Sequence, residues 1–279
     1  MIDAGHLHRI IKTALEEDVN TGDITTASTV KPGTQIKGRF IAKADGVLCG
    51  TDVVKAVFSY VDAAIAVDFH FRDGDLLRNG DVIAEIGGDA AHILTGERTA
   101  LNLLQHMSGI ATRTRETVAQ VAGYDVHILD TRKTTPGLRI LEKYAVGVGG
   151  GQNHRFSLAD GILIKDNHIR AAGGITQAVE AARSRAPFTL KIEVETETLS
   201  QVQEALDAGA DIIMLDNMTT EQMREAVALI GDRAVVEASG NMGQRDLREV
   251  AATGVDCISV GDLTNFVRPL DISLKLNME

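Results

Sequence analysis

The sequence predicts an α/β protein in which an incomplete (β/α) barrel follows an α+β N-terminal domain. After Gly123, six short apolar runs appear at 126–129, 162–164, 190–194, 212–215, 235–238 and 258–260. Helical stretches at 198–208, 220–230 and 244–252 separate the later runs, and Gly209 and Gly254 are placed to stop two of them. Units of about 20–30 residues with a helix between apolar strands are βα repeats of a parallel sheet. Six of them are two short of the closed eightfold barrel.

The region before Gly123 reads differently. Leu7, Ile10, Ile11, Ala14 and Leu15 fall at helical spacing over residues 3–17, predicting a first amphipathic helix. Residues 21–26 (TGDITT) break it, with Asp23 or Thr25 bonding the backbone in a turn. From 35 to 88 the pattern is of short β-like runs, in which Val67, Phe69 and Phe71 alternate with Asp68, His70 and Arg72 to give one buried face. Asp73-Gly74 and Asn79-Gly80 mark turns, and residues 53–60 can form a helix between strands. Such Gly-Asp turns also suit biotin and lipoyl carriers, but no lysine stands at a hairpin tip to be modified. A long helix over 91–119 connects the two regions, interrupted at Gly109, with Glu97 and Arg98 near its start facing another surface. The domains expected are residues 1–108, joined by the tail 265–279, and the barrel 109–264.

With 279 residues, the chain is long enough for one barrel or two smaller domains, each with its own core. No apolar run approaches the roughly 18 residues that span a bilayer, and the N-terminal stretch is acidic rather than signal-like. A cytoplasmic location is the resulting expectation. Cys49 and Cys257 lie far apart in apolar contexts without metal-ligand spacing, which suits core thiols in a reducing compartment and suggests no zinc site. A net charge of −11 argues against a general nucleic-acid binder.

Against that acidic background, residues 130–169 concentrate cations. The first apolar run stops at Asp130-Thr131-Arg132-Lys133 and the second at Lys165-Asp166-Asn167-His168, with the glycines 149–151 and the pair His154-Arg155 between them. If the two strands are neighbours in a parallel sheet, their C-terminal ends share the rim where such folds place their chemistry. Two like charges about 4 Å apart repel by about 4 kcal/mol at an effective dielectric near 20, so the cluster calls for a polyanion. Taken singly, each of these residues reads as a solvated surface charge. Glu193 and Glu195 close the third run, Asp216 the fourth, Ser239 the fifth and Gly261 the sixth. Period-two alternation sends Lys191, Glu193 and Glu195 to one side, so the barrel interior there is polar, and a salt bridge with a lysine is the bland alternative for any one acid. Gly240 and Gly261 expose backbone N–H groups in a phosphate-cradling arrangement that is weak as a lone signal.

The strings GERTALNLLQHMSGIATRT, DTRKTTPGLRILEKYAVGVGGGQNHR, LIKDNHI, IEVE, MLDN, EASGN and ISVGDLT span Gly96 to Thr264, and EDVNTGDITT extends them toward the N-terminus. Together they closely resemble the quinolinate phosphoribosyltransferase family. The resemblance implies an open-sandwich N-terminal domain paired with the incomplete barrel. It implies transfer of phosphoribosyl from phosphoribosyl pyrophosphate (PRPP) to quinolinate with Mg²⁺, giving nicotinate mononucleotide, pyrophosphate and CO₂. It further implies a homodimer with a shared active site, higher assemblies being left open, and no nucleic-acid or membrane partner. By the same resemblance, Arg132, His154, Arg155 and Lys165 form the cage for the two quinolinate carboxylates, and Arg98 comes from the partner subunit. Lys133 contacts PRPP beside Thr131. Glu195 and Asp216 face its ribose and the metal, which they hold through PRPP and water. Ala238, Ser239, Gly240, Asn241, Ser259, Val260 and Gly261 hold the 5′-phosphate, while Lys133, Lys165, Glu195 and Asp216 are the catalytic set. The segment Val146-Gly147-Val148 lacks a basic residue that some members carry. The glycines 149–151 read as a flexible support that brings His154 and Arg155 to the rim.

Overall fold

The structure, a computed structural model, describes residues 2–277. In chain order the elements are α1 (Ala4–Val19), α2 (Ile24–Thr29), β1 (Gln35–Ala42), β2 (Gly46–Val47), α3 (Thr51–Val61), β3 (Ala66–Phe69), β4 (Leu76–Leu77), β5 (Val82–Asp89) and α4 (Ala90–Gln120). There follow β6 (His127–Leu129), α5 (Arg139–Val148), β7 (Ile162–Ile164), α6 (Asp166–Ala172), α7 (Ile175–Arg185), β8 (Ile192–Thr196), α8 (Leu199–Asp207) and β9 (Ile212–Asp216). The last are α9 (Thr220–Ile230), β10 (Val235–Ser239), α10 (Leu247–Ala251), β11 (Cys257–Ser259), α11 (Asp262–Asn265) and β12 (Ile272–Asn277). The chain forms two compact units. Met1–Arg115, Thr135–Gly150 and Phe266–Glu279 make the first, and Glu116–Thr134 with Gly151–Asn265 the second.

In the first unit, α1 buries Ile11 and Leu15, and Asp3 caps it by accepting from the His6 amide at 2.9 Å. Asp23 caps α2 through the Thr26 amide at 2.9 Å, so the TGDITT break is a second helix start. The sheet has the order β12-β1-β5-β3 and is antiparallel throughout. Period-two alternation buries Gly38, Phe40 and Ala42 of β1, and Phe40 meets Phe58 of α3 edge-on at 6.3 Å. The face expected from Val67, Phe69 and Phe71 is only half-buried, and β3 stops at Phe69, because β3 is the sheet's edge strand. Gly74 and Gly80 take left-handed conformations (φ +96° and +97°) in the two expected turns.

The interruption expected at Gly109 does not occur: α4 runs unbroken through it. A Cβ there would collide with the carbonyl oxygen of Arg268, so glycine serves a close backbone approach instead of a break. Gly149 likewise closes against the carbonyl of Ala111, 2.5 Å from where its Cβ would sit, and is a packed contact rather than a loose support. On α5, fully buried Glu142 accepts from His106 Nε2 at 2.8 Å and from the Thr135 amide at 3.0 Å. The Tyr144 hydroxyl donates to Asp73 at 2.9 Å.

The second unit holds a six-stranded parallel sheet with the order β6-β11-β10-β9-β8-β7, the strands of an incomplete barrel. β6 and β7 are not neighbours but its two edges. Their C-terminal ends still face the same way, because every pair in the sheet is parallel. In register, Asp216 pairs with Ser239 and Ile258 with Ile128. Helices α8 and α9 start in capping boxes, Thr198 with Gln201 and Thr219 with Gln222. Gly209 and Gly254 turn left-handed after α8 and α10 (φ +80° and +92°). The helix expected over 244–252 is shorter, since Asp246 caps α10 and the residues before it form a single 3₁₀ turn.

Candidate active site

A cavity of about 540 Å³ opens at the C-terminal rim of the parallel strands. Thr131, Arg132, Lys133, His154, Arg155, Lys165, Glu195, Asp216, Ser239, Gly240, Asn241, Ser259 and Gly261 all line it, contributed by six strand ends and the segment that follows the glycine run. Ala238 in β10 and Val260 just after β11 are buried and do not line it. Arg98 is exposed on α4 in the other unit.

The loop after β6 is fixed from two sides. The Lys133 amide donates to Thr131 Oγ1 at 3.0 Å, and Thr264 Oγ1 donates to the Lys133 carbonyl at 2.7 Å. A Cβ on Gly261 would stand 3.0 Å from Lys133 Cδ, so the glycine leaves room for the lysine stem. Lys165 reaches from the end of β7 to Glu195 on β8 in a short ion pair. Arg155 donates to the Gly161 carbonyl at 3.0 Å. Burial and the nearby Arg132 charge both lower the Arg155 guanidinium's affinity for its proton, the electrostatic signature of cations waiting for an anion.

His154 sits deeper. Its amide donates to Asp130 at 2.9 Å, and its Nε2 lies 3.2 Å from Glu193 Oε2 and 3.5 Å from Glu237 Oε2. Nδ1 accepts the Arg155 amide at 2.7 Å. Burial opposes a charge on the ring, but hydrogen bonds to Glu193 and then Glu237 outweigh it and push the pKa up to about 10. The Arg155 amide pulls the other way, favouring a bare Nδ1. Nε2 facing the two acids while Nδ1 accepts an amide is the hydrogen-bond pattern of the neutral ring, so a second proton on Nδ1 has to displace the Arg155 amide. Glu193 is raised in turn, chiefly by burial. The Oε1 atoms of Glu193 and Glu237 have no hydrogen-bond partner. A second cavity of about 450 Å³ sets His154, Arg155, Glu193 and Glu237 among apolar Leu129, Ile162, Ile212 and Val235, so Glu193 does face the interior, within a largely apolar wall. Cys257 is only partly buried there, beside acids rather than in the apolar setting expected, and burial raises its thiol to about 12.

The far side of the rim cavity is backbone. Gly240 turns left-handed (φ +92°), and a Cβ there would stand 2.6 Å from the Asn217 amide nitrogen. Asn217 and Asn241 are themselves left-handed (φ 56° and 53°), and the Asn217 amide donates to the Ser239 carbonyl at 3.1 Å. Asn217 Nδ2 donates to Asp216 at 2.7 Å. Such turns present amides for an anion. Among the polar residues lining the rim cavity, Asn217, Glu237 and Asp262 are absent from the sequence-derived set. Period-two spacing from Ser239 could have pointed to Glu237.

For a divalent cation, Glu195 and Asp216 offer carboxylate oxygens at an open rim, which suits Mg²⁺ with water and phosphate completing its shell. His154, Glu193 and Glu237 bring three donor atoms within 4.8 Å of one another, but the set holds a nitrogen and is buried, a poorer match to Mg²⁺.

An open parallel barrel whose rim sets cations and glycine turns against two carboxylates belongs to the class of α/β proteins that bind small phosphorylated anions. The chain is a member of the quinolinate phosphoribosyl transferase family. The family's N-terminal domain model matches residues 23–108 and its C-terminal domain model residues 110–275. A relative in Bacillus subtilis (strain 168), named probable nicotinate-nucleotide pyrophosphorylase [carboxylating], is 46% identical over 98% of this chain and 94% of its own. The crystal structure of NadC from Streptococcus pyogenes superposes with a TM-score of 0.93, is 44% identical, and covers 99% of this chain and 98% of that one. The nicotinate-nucleotide pyrophosphorylase of Francisella tularensis gives 0.94 at 38% identity, covering 99% of this chain and 98% of that one. Among the described residues, no helix is long and apolar enough to cross a membrane.

Proposed function

We propose that the chain transfers phosphoribosyl from PRPP to quinolinate with decarboxylation, yielding nicotinate mononucleotide, pyrophosphate and CO₂ in NAD biosynthesis. The observation that carries this reading is the rim cavity, where Arg132, Lys133, His154, Arg155 and Lys165 share one space with Glu195 and Asp216. A dianion needs the cations, and an oxocarbenium-like ribose needs the carboxylates.

Arg132 and Arg155 supply planar guanidinium forks that can grip the two quinolinate carboxylates, each by two charge-assisted hydrogen bonds. His154 and Lys165 complete that cage. Arg98 of the partner subunit closes it in a homodimer. Lys133 and Thr131 hold the pyrophosphate side of PRPP. The turn amides around Ser239, Gly240 and Asn241, backed by Ala238 and facing Ser259, Val260 and Gly261, hold its 5′-phosphate. Glu195 and Asp216 would hold Mg²⁺ through water and phosphate, and the ion, when bound, would supply positive charge against the departing pyrophosphate.

Quinolinate nitrogen attacks C1′ as the C1′–O bond to pyrophosphate breaks and its electron pair leaves with pyrophosphate. Positive charge grows on the ribose and negative charge on the leaving group, so Glu195 and Asp216 on one side and Lys133 on the other favour the transition state over the ground state. The alkylated ring nitrogen is cationic. The bond from C2 to its carboxylate then breaks, CO₂ departs, and the electron pair left on C2 takes a proton, for which we assign Lys165 or His154 of the cage. We assign catalysis to the barrel, residues 109–264, and the cover to residues 1–108 with the tail 265–279. The free thiols Cys49 and Cys257 support a cytoplasmic setting.

The test is turnover with PRPP and Mg²⁺, comparing quinolinate with nicotinate. Release of CO₂ and pyrophosphate in equal amounts from quinolinate is expected. Preference for nicotinate without CO₂ release overturns the reading.

A further inference from the structure

The loop after β9 holds a residue that the transfer reaction described above leaves unused. Asn217 follows Asp216 at the rim, is exposed, and takes a left-handed conformation (φ 56°). Among the described residues only three other than glycine have positive φ, and two of them, Asn217 and Asn241, stand at this one corner. Such conformations gather where a site dictates the backbone, so the corner calls for a use.

The side-chain amide of Asn217 faces both halves of the cavity wall. Nδ2 donates to Asp216 Oδ2 at 2.7 Å, and Oδ1 accepts from Asn241 Nδ2 at 3.4 Å. An ionised carboxylate only accepts, which fixes the amide this way round. Oδ1 also occupies the space beside Gly240, since a Cβ on residue 240 would stand 2.3 Å from it. The backbone completes the joint: the Asn217 amide donates to the Ser239 carbonyl at 3.1 Å, next to the register pair of Asp216 with Ser239.

We propose that Asn217 is a positioning residue for PRPP, whose side-chain amide orients the Asp216 carboxylate and locks the Gly240-Asn241 turn, so that the ribose side and the 5′-phosphate side of the site keep one fixed spacing. This rests on the quinolinate reading above, which sets the ribose against Asp216 and the 5′-phosphate on the turn. Asparagine suits the position chemically. An aspartate there would face Asp216 with a second negative charge, a leucine would offer no donor, and a β-branched residue would strain the left-handed backbone that asparagine tolerates. Exposed hydrogen bonds contribute little to stability, whereas misplacing a substrate contact by about 1 Å can cost about 10²-fold in rate. The loss on removing this amide therefore falls on PRPP and not on folding.

The experiment uses Asn217→Gly, which suits the left-handed backbone and removes only the side chain. Amide hydrogen exchange over residues 238–243 should accelerate several-fold in this variant, while the rest of the barrel and the urea midpoint stay at the parent values. By calorimetry with Mg²⁺ present, affinity for PRPP should fall tenfold or more and affinity for quinolinate by less than twofold. In an Asp216→Ala background the same change should cost PRPP affinity threefold or less, because one of the two contacts it breaks is already gone. Unchanged exchange over 238–243, a tenfold loss that persists in full without the Asp216 carboxylate, or equal losses for the two substrates overturns the proposal. If the parent protein does not turn over quinolinate, the functional reading fails, while exchange over 238–243 still decides whether Asn217 holds the turn.

Discussion

Two cation–carboxylate clusters lie in the same barrel and differ in almost every physical respect. At the rim, Lys165 and Glu195 pair with side chains 44% and 15% exposed; on the floor, His154, Glu193 and Glu237 are 14%, 5% and 3% exposed. An exposed pair in a high dielectric contributes about 0–1 kcal/mol and opens easily, so the rim pair is a resting contact that substrates can replace. A buried cluster cannot rearrange without stranding a charge, so its geometry is permanent. The rim selects and reacts, whereas the floor sets the potential in which it does so.

The largest expected effect breaks the rim. Lys165→Ala should lower kcat/KM for quinolinate by about 10²–10³, the usual loss when one preorganised charged donor is removed, with little change in urea stability. Steady-state kinetics and denaturation on the same preparation check both halves. A loss of stability as large as the loss of activity would show that the rim pair is structural after all.

Next comes the backbone wall. Gly240→Ala places a Cβ against the Asn217 amide at a left-handed position, which costs about 1–3 kcal/mol where the neighbour cannot yield. KM for PRPP should rise tenfold or more while KM for quinolinate moves little. Equal rises would mean that the glycine turn does not separate the two substrates.

The contrast also shows what a sequence can display. The rim was legible because each functional residue there closes an apolar run, so strand ends named Arg132, Lys133, Lys165, Glu195 and Asp216 directly, and the cavity contains all five. The floor was legible only in part: alternation sent Glu193 inward and His154 stood in the cation cluster, but Glu237 lies inside a strand, where its meaning depends on His154, which comes from a distant loop that follows no period. Sheet order was hidden for the same reason: β6 and β7 are successive strands in the chain yet opposite edges in space, a fact of pairing and not of pattern. Gly109 misled because a glycine inside a helix reads as a break, whereas its purpose is a carbonyl approaching from residue 268.

The floor's own prediction is a slope in stability with pH. The His154 pKa is raised from about 6.5 in the unfolded chain to about 10, so its contribution is complete below pH 6.5 and is lost as pH rises toward 10. Between pH 6.5 and 7.5, before free thiols titrate appreciably, the urea midpoint of the parent chain should fall more steeply than that of His154→Gln. Parallel slopes would place the extra proton elsewhere.

The smallest effect reads the floor's charge without touching its machinery. Cys257 lies beside Glu237, and burial, with added repulsion from Glu237, Asp256 and Glu193, holds its thiol near pKa 12. Only the thiolate reacts, so at pH 8 alkylation by iodoacetamide should run about 10³-fold slower than for a free cysteine, whose pKa is near 8.5. Glu237→Gln removes one source of that repulsion and should speed the reaction modestly, by severalfold, because burial remains the dominant cause. Alkylation of the folded parent protein at the free-thiol rate would mean that the thiol is not held in the buried setting below the rim, and an equal rate in Glu237→Gln and parent would mean that Glu237 adds no effective charge there.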